Sequence, residues 1–212
     1  MRLYLVRHAQ TAWNAEHRAQ GHTDIPLDSI GRAQAMMLGH RFAAKRIDRI
    51  LSSDLQRAHE TAKPIAEATG AEIELVENLR ERSFGDWEGD PFQQISDRWP
   101  ELEAIQGKDR LELRPPNGES FVDVWQRLDP IAQRLENEMG NIVVVTHGGV
   151  CGLLLAKLIQ GTVGTSRAFR FGNTSITKLE RRPEGLFMIQ YYNETSHLQE
   201  EVMAGSVDGT LR

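Results

Sequence analysis

Three short apolar runs of the sequence are each followed by histidine, arginine or a pair of glycines. These residues are Arg7 and His8 after residues 3–6, Arg57 after residues 47–52, and His147, Gly148 and Gly149 after residues 142–146. A neutral imidazole is a competent nucleophile near pH 7, because the ordinary pKa of histidine is about 6.5. Arginine stays charged and offers a planar fork to two phosphate oxygens. These residue types therefore indicate phosphoryl transfer, which needs a nucleophile and positive charge around the phosphoryl oxygens.

Backbone N–H groups and a carboxylic acid complete the candidate set. Gly148 and Gly149 stand at the start of a predicted helix, where free N–H groups can bind an anion. A proton donor for the leaving alcohol is expected in the segment 79–89. We favour Glu81 as this acid and keep Glu88 as the alternative.

The three apolar runs are predicted to be parallel β-strands, because they are short, rich in aliphatic or β-branched residues, and end in polar loops. The helices predicted around them span residues 29–45, 54–70, 119–139 and 150–159. This alternation predicts an α/β fold, a three-layer sandwich with a mostly parallel central sheet and helices on both faces. Residues 175–180 and 186–192 predict a late hairpin. Ligands of such folds bind beyond the carboxyl ends of the strands, which is where the candidate residues stand.

Prolines and weak periodicity mark the less regular parts of the chain. Pro64 should kink or split the second helix, and Pro130 should bend the third. Residues 90–117 show little periodicity and are predicted to form a short insertion that caps one end of the sheet. We expect a single domain over residues 1–195, followed by a polar, disordered tail over 196–212.

Composition and charge narrow the range of partners. The 212 residues are 40% hydrophobic and 26% charged, with a net charge of -5, which is ordinary for a soluble globular protein. Nothing in this balance favours nucleic acid or an anionic membrane as a partner. Cys151 is the only cysteine, so no internal disulfide is expected. The chain has no apolar run of the roughly 18 residues that a membrane span needs, and a cytoplasmic location is expected.

The same segments, taken in order, resemble the motifs of the histidine phosphatase (phosphoglycerate mutase-like) superfamily. The matching residues are 5–14, 20–21, 24–27, 31–35, 52–58, 61–62, 79–81, 85–89, 117–120, 146–149 and 173–176. Their number and order make the resemblance specific over about residues 2–180. One departure stands beside the expected nucleophile: position 9 is alanine where glycine is usual, and its methyl group could narrow the space next to His8.

The resemblance implies a phosphohistidine mechanism that uses no metal and no cofactor. His8 would take the phosphoryl group, and Glu81 would protonate the leaving group and then activate water. Arg7, Arg57 and His147 would hold the phosphoryl oxygens. Further contacts to a small phosphorylated substrate are expected from Asn14, Gln20, Gly21 and Gly148.

Within this family the main alternatives are a phosphatase and a cofactor-dependent phosphoglycerate mutase. The mutases resemble one another in carrying an extended insertion after the acid segment, whereas the insertion over residues 90–117 is short. This favours a phosphatase acting on a small phosphorylated metabolite. One of Lys108, Arg110 and Arg114 in the insertion could bind a second acidic group of the substrate, although a solvated charged loop would look the same.

Two other classes of protein compete with this interpretation. A metallohydrolase built on His8 and His147 is disfavoured, because the chain lacks the paired His-x-His or His-x-x-x-His spacing of such sites. A non-catalytic phosphate-binding module is disfavoured because every residue of the expected catalytic set is present. The sequence leaves open the physiological substrate and the choice between a monomer and a homodimer.

Overall fold

A six-stranded mixed sheet forms the centre of the computed structural model, which describes residues 1–198. The strands are β1 (Arg2–Arg7), β2 (Arg49–Ser52), β3 (Ile73–Leu75), β4 (Asn141–Thr146), β5 (Ile176–Arg181) and β6 (Phe187–Glu194). Their order across the sheet is β3-β2-β4-β1-β5-β6. The first four are parallel, and β5 and β6 continue the sheet in antiparallel pairing. The predicted mostly parallel sheet and late hairpin are confirmed.

Helices cover both faces of this sheet. They are α1 (Ala12–Ala15), α2 (Ser29–Phe42), α3 (Gln56–Thr69), α4 (Phe92–Gln106), α5 (Phe121–Arg127), α6 (Asp129–Asn137) and α7 (Gly148–Leu158). Leu3 and Leu5 of β1 belong to a core that includes buried residues of α5, α6 and α7. Tyr4 and Val6, which point the other way, belong to a second core with residues of α2 and α3. Because both faces of the central strands are apolar, the sheet needs a helical layer on each side, which confirms the predicted three-layer sandwich.

Pro64 and Pro130 affect their helices in different ways. Helix α3 runs through Pro64 as one element, so the expected split does not occur. Gly39 of α2 makes room there, because a Cβ atom at this position would lie 2.7 Å from the Pro64 carbonyl oxygen. The predicted helix over 119–139 is interrupted at Leu128, and Pro130 stands in the first turn of α6, where its missing N–H costs nothing.

The predicted insertion contains a regular helix that its sequence did not reveal. Helix α4 buries only Ile95 and Trp99, so its apolar periodicity is weak. These two side chains pack with Phe84, Trp87 and other residues in a small hydrophobic cluster separate from the two main cores. The segment is therefore a packed cap with its own apolar contacts.

The start of the predicted tail packs against the domain. Leu198 is buried, and His197 Nε2 lies 3.2 Å from Thr174 Oγ1. The rest of the predicted tail, from residue 199 onward, lies outside the described residues. Over residues 1–198, no helix combines the length and apolar character that crossing a membrane would require.

Candidate active site

Parallel pairing of β1 and β4 places the two candidate histidines side by side. Arg7 pairs with Thr146 at the ends of the strands, so the next residues, His8 and His147, leave the sheet at the same edge. Their ring centroids are 5.1 Å apart. Arg57 reaches the same point from the first turn of α3, which follows the neighbouring strand β2. The structure thus brings together residues that three separate strand ends deliver.

The environment of His8 keeps its imidazole neutral and fixes its tautomer. The ring is 3% exposed, and Nδ1 lies 2.7 Å from the carbonyl oxygen of Ala9. A carbonyl oxygen only accepts hydrogen bonds, so Nδ1 carries the proton and Nε2 keeps its lone pair. Burial, and then the charges of Arg57 and Arg7, hold the pKa of His8 well below its usual value. Near pH 7 the ring is a neutral base whose Nε2 atom can attack an electrophile.

Arg57 is a buried cation that contacts only neutral acceptors. Its Nη2 and Nη1 atoms donate to the carbonyl oxygens of Gly21 and Thr23 at 2.7 and 2.9 Å, and Nε donates to His147 Nδ1 at 3.2 Å. It forms no ion pair with any carboxylate of residues 1–198. Burial lowers the pKa of Arg57 to about 10, which leaves it charged at neutral pH. The charges of Glu81, Asp24 and Glu88 act on Arg57 without an ion pair, so a bound phosphate dianion could still contact the guanidinium directly.

His147 is held on both sides of its ring. Because Arg57 donates to Nδ1, the proton of the neutral ring is on Nε2, which lies 2.9 Å from Ser53 Oγ. Burial and the Arg57 charge hold the pKa of His147 well below its usual value. In this arrangement His147 orients Arg57, and it can bind a phosphoryl oxygen only by exchanging one of its two protein contacts.

Arg7 lies next to the start of α7. It is buried, and its Nη1 atom donates to the Phe171 carbonyl oxygen at 2.6 Å. A Cβ atom on Gly148 would lie 3.5 Å from Arg7 Nε, so the guanidinium and the Gly148 backbone share one side of the site. Both can therefore contact the same anion.

The remaining predicted substrate contacts divide into two kinds. Asn14 Oδ1 accepts hydrogen bonds at 3.1 Å from both the N–H and the hydroxyl of Thr11, which leaves its amide Nδ2 for a substrate oxygen. Gln20 has a buried Oε1 atom without a partner in the described part of the chain. Gly21 acts through its carbonyl oxygen, which holds Arg57. Its backbone has φ +52°, and a Cβ there would lie 2.1 Å from a Glu88 carboxylate oxygen, so only glycine fits.

The carboxyl group of Glu81 lies against the first turn of α7. Its Oε2 atom accepts the N–H of Gly149 at 3.0 Å, and Oε1 accepts the N–H of Arg82 at 2.9 Å. Gly149 is required for this contact, because a Cβ atom there would lie 2.6 Å from Glu81 Oε1. This contact holds the half-buried Glu81 carboxyl group against the backbone of Gly149, which follows His147 by two residues.

Glu88, the alternative acid, serves a structural purpose. Its carboxylate accepts three hydrogen bonds from His22 and Thr23, at 2.6 to 2.9 Å, and two from Ser83 and Phe84, both at 3.1 Å. Burial acts to raise its pKa, but the hydrogen bonds outweigh burial and the pKa is lowered. Glu88 is therefore an ionised clamp on the loop whose carbonyl groups hold Arg57.

Arg127 binds the start of the acid segment, residues 79–89, in a role that the sequence analysis did not predict. Arg127 of α5 donates to the carbonyl oxygens of Asn78, Arg80 and Glu81 at 2.6, 2.8 and 2.9 Å. Its Nε atom also pairs with Glu119 at 2.8 Å. No motif surrounds Arg127, so no signal in the sequence could have connected this residue with a segment 46 residues earlier.

The methyl group of Ala9 belongs to the packing around the site. Ala9 is fully buried and lies in a small apolar cluster with Leu27 and Ala35. Its N–H donates to Thr61 Oγ1 at 2.9 Å, which fixes the turn after His8. The departure from glycine is accommodated by these contacts.

Among residues 1–198, no three His, Cys, Asp or Glu side chains converge into a group that could hold a metal ion.

Comparison with known families identifies a match over nearly the whole chain. The model of the histidine phosphatase superfamily (branch 1) matches residues 3–195. The phosphoglycerate mutase-like protein 4 of Arabidopsis thaliana is 34% identical over 203 residues, covering 93% of this chain and 87% of that protein. A probable phosphoglycerate mutase of Citrobacter koseri is 33% identical over 208 residues, covering 93% and 95%.

Solved structures with the same fold carry phosphatase names. A putative alpha-ribazole-5'-P phosphatase from Escherichia coli superposes with a TM-score of 0.83 at 29% identity, covering 92% of this chain and 97% of that chain. A mycobacterial glucosyl-3-phosphoglycerate phosphatase in complex with inorganic phosphate superposes with a TM-score of 0.79 at 31% identity, covering 93% and 99%.

The lowered pKa of His8 predicts how stability depends on pH. An unfolded chain protonates this histidine near pH 6.5, whereas the folded protein does so only at lower pH, so the unfolded state binds more protons between these values. Stability should therefore fall as the pH drops from about 7.5 to about 5.5, a range that lies above most carboxylate titrations. Thermal unfolding across this range should show a smaller decrease in Tm for His8→Gln than for wild type. The exposed His40 gives the control: His40→Gln should keep the wild-type slope, and equal slopes in all three proteins would contradict the prediction.

Proposed function

We propose that this chain, which belongs to branch 1 of the histidine phosphatase superfamily, is a metal-independent phosphomonoesterase that hydrolyses a small phosphorylated metabolite through a phosphohistidine. The observation that carries the proposal is the buried Arg57 cation, which contacts only neutral groups and lies beside the neutral His8 and His147 rings. The nearby carboxylates of Glu81, Asp24 and Glu88 favour this charge but form no ion pair with it, and a phosphate dianion would contact it directly. The phosphatase names of the solved relatives support hydrolysis.

In the first half-reaction, Nε2 of His8 would attack phosphorus. The P–N bond forms as the P–O bond to the alcohol breaks, and the Glu81 carboxylic acid gives its proton to the departing oxygen. Arg7 and Arg57 would stabilise the charge on the phosphoryl oxygens, since preorganised cations in a desolvated site act strongly on developing charge. The Nδ1–H donated to the Ala9 carbonyl group stabilises the cationic phosphohistidine ring that results.

In the second half-reaction, water would replace the alcohol. The Glu81 carboxylate takes a proton from the water as the water oxygen attacks phosphorus. The P–N bond breaks in the same step, which regenerates neutral His8. The net reaction consumes one water and releases an alcohol and inorganic phosphate, and Glu81 returns to its acid form. One carboxyl group serves both steps because the leaving alcohol and the attacking water occupy the same side of the phosphorus atom.

Mutase activity is the alternative that the names of the curated relatives support. A mutase must retain the phosphoenzyme against water while its substrate reorients. The insertion over residues 90–117 is short, and α4 provides its only helix. This supports hydrolysis, because a short cap gives water access to the phosphohistidine.

Removal of the nucleophile gives the first test. Wild-type protein should release phosphate from 4-nitrophenyl phosphate in excess EDTA, and His8→Ala should lose this activity by at least about a thousandfold, because the covalent intermediate can no longer form. His40→Ala, which changes an exposed histidine of α2, should keep the wild-type rate. Activity that disappears in EDTA but survives in His8→Ala would indicate a metallohydrolase. Lack of turnover of any phosphate ester by the wild type would indicate a binding module.

Leaving-group dependence tests which glutamate is the acid. With phenyl phosphate, Glu81→Gln should be slower than wild type by about 100- to 10,000-fold, because the phenolate departs without a proton. With 2,4-dinitrophenyl phosphate, whose leaving group needs no proton, Glu81→Gln should give a stoichiometric burst of dinitrophenolate followed by slow turnover. Glu88→Gln should loosen the loop that holds Arg57, slow both esters by similar factors, and show no burst. A burst in Glu88→Gln but not in Glu81→Gln would reverse the assignment.

A direct comparison of rates separates hydrolysis from mutase activity. Purified protein supplied with 3-phosphoglycerate and a trace of 2,3-bisphosphoglycerate should release phosphate faster than it forms 2-phosphoglycerate. Both products can be followed in one sample by phosphorus NMR. Faster interconversion of the two phosphoglycerates would replace the proposed hydrolase with a mutase.

A further inference from the structure

A cavity of about 360 Å³ opens directly beside the candidate active site. It begins at Gly148 and Gly149, and Gly149 holds the carboxyl group of Glu81. The leaving group of a substrate whose phosphoryl group contacts His8 would extend from Glu81 into this space. The cavity is therefore in the position to select the alcohol portion of the substrate.

The wall of the cavity is aromatic and positively charged. Its aromatic members are Phe84, Phe92, Trp99, Phe121 and Phe169, and its arginines are Arg82, Arg110, Arg167 and Arg170. Among residues 1–198, no aspartate or glutamate lines it. This local charge is opposite to the chain's net charge of -5. An apolar wall with an excess of cations fits a ligand that has both an apolar body and a negative charge.

Arg82 is the buried cation of this wall. It is 5% exposed, and its guanidinium lies 4.3 Å from the Phe84 ring centroid and 4.4 Å from that of Phe121. The one hydrogen bond that its side chain makes in the described part of the chain joins Nη1 to the Glu119 carbonyl oxygen at 3.3 Å, and the side chain forms no ion pair there. Since rings cover the flat guanidinium, the N–H groups along its edge remain for an anion in the cavity.

Arg110 provides a second cation from the cap. Its guanidinium lies 5.3 Å from the ring centroid of Trp99 and forms no ion pair with residues 1–198. Arg114, the other arginine of this loop, is unavailable because it forms two hydrogen bonds with Asp123, both at 2.6 Å. Lys108 does not line the cavity. Of the three cap cations that the sequence suggested, Arg110 alone lines the cavity beside the reaction centre.

The cavity offers few partners for a body rich in hydroxyl groups. Ser96 and Ser166 are the only neutral polar side chains that the described residues contribute to its lining, and the Ser166 hydroxyl already donates to the Val163 carbonyl oxygen at 2.6 Å. The arginines of the wall only donate hydrogen bonds, so a sugar buried here would find few side-chain acceptors for its hydroxyl protons, which is costly. The flat ring faces of the wall instead match a planar apolar body.

We propose that the substrate is a phosphate monoester of a flat, largely apolar ring alcohol that carries a second anionic group, and that Arg82 and Arg110 bind this group. The inference rests on the proposed phosphatase function and specifies the chemical class of its substrate. Phosphate esters of simple sugars and of uncharged ring alcohols would be poorer substrates than the anionic ring ester.

Matched ring esters test this specificity. The ratio of kcat/KM for 6-carboxy-2-naphthyl phosphate to that for 2-naphthyl phosphate should be about 10 or more in wild type, as expected for one charge-assisted contact. Arg110→Ala and Arg82→Lys should each reduce this ratio by about tenfold, whereas the matched control Lys108→Ala should keep it. Because each variant is compared with itself on two esters, a general loss of activity or of folded protein does not change the ratio. Glucose 6-phosphate should be a poorer substrate than either ring ester.

A ratio near one in wild type, or a ratio unchanged in both arginine variants, would overturn the proposal. So would preferential hydrolysis of glucose 6-phosphate. Binding of the product 6-hydroxy-2-naphthoate, measured by calorimetry, needs no turnover and separates this inference from the proposed function. If wild type hydrolyses no ester but binds this product, with weaker binding in Arg110→Ala, the phosphatase function fails and the anionic ring site stands. If it neither hydrolyses the esters nor binds the product, both fail.

Discussion

The buried charge of Arg57 is the constraint on which the rest of the site depends. Its guanidinium is fully buried at the edge of the sheet and is satisfied by two carbonyl oxygens and a histidine nitrogen. A buried cation of this kind needs fixed hydrogen-bond acceptors that offset its desolvation, and it is retained when its charge serves the function of the site. Glu88 supplies the fixed neighbours, because it anchors the loop that presents the carbonyl groups of Gly21 and Thr23. Burial first, and then the same charge, keep the pKa of His8 low and its imidazole neutral.

Charges of the acid segment are arranged so that they do not neutralise one another. Arg80 Nε donates to Asp54 Oδ1 at 2.9 Å, neither of these residues lines the cavity, and Arg82 is stacked in the cavity wall. Arg127 binds the backbone of this segment, which leaves the Glu81 side chain to contact Gly149. Arg82 and Arg127 both contact Glu119, the first at its carbonyl oxygen and the second at its carboxylate. None of the three guanidinium groups forms an ion pair with Glu81, the proposed acid, which keeps its contact with the Gly149 N–H.

The division between chemistry and selectivity follows the division between sheet and cap. The residues expected to act on the phosphoryl group come from strand ends, whose positions the sheet fixes to within small displacements. The cavity proposed for the leaving group begins at α7 and is otherwise formed by the acid segment, α4 with the loop after it, Phe121 of α5, the 3₁₀ helix Val163–Ala168 and the two residues Phe169 and Arg170. Loops and caps of this kind vary without disturbing the central sheet. Relatives with one fold can therefore act on different phosphorylated compounds.

The amino-acid sequence by itself predicted five of the six strands, without β3, together with the helices that cover the sheet and the meeting of His8, Arg57 and His147. Apolar runs and strand-end positions are local patterns, and parallel pairing converts them directly into proximity. Only the tertiary structure decided that Glu88 is a clamp, that Arg127 supports the acid segment, and that Arg110 rather than Arg114 lines the cavity. Each of these depends on which side chain meets which partner across a long stretch of chain. Side chains of the same type are equivalent in sequence, and packing alone sets their partners.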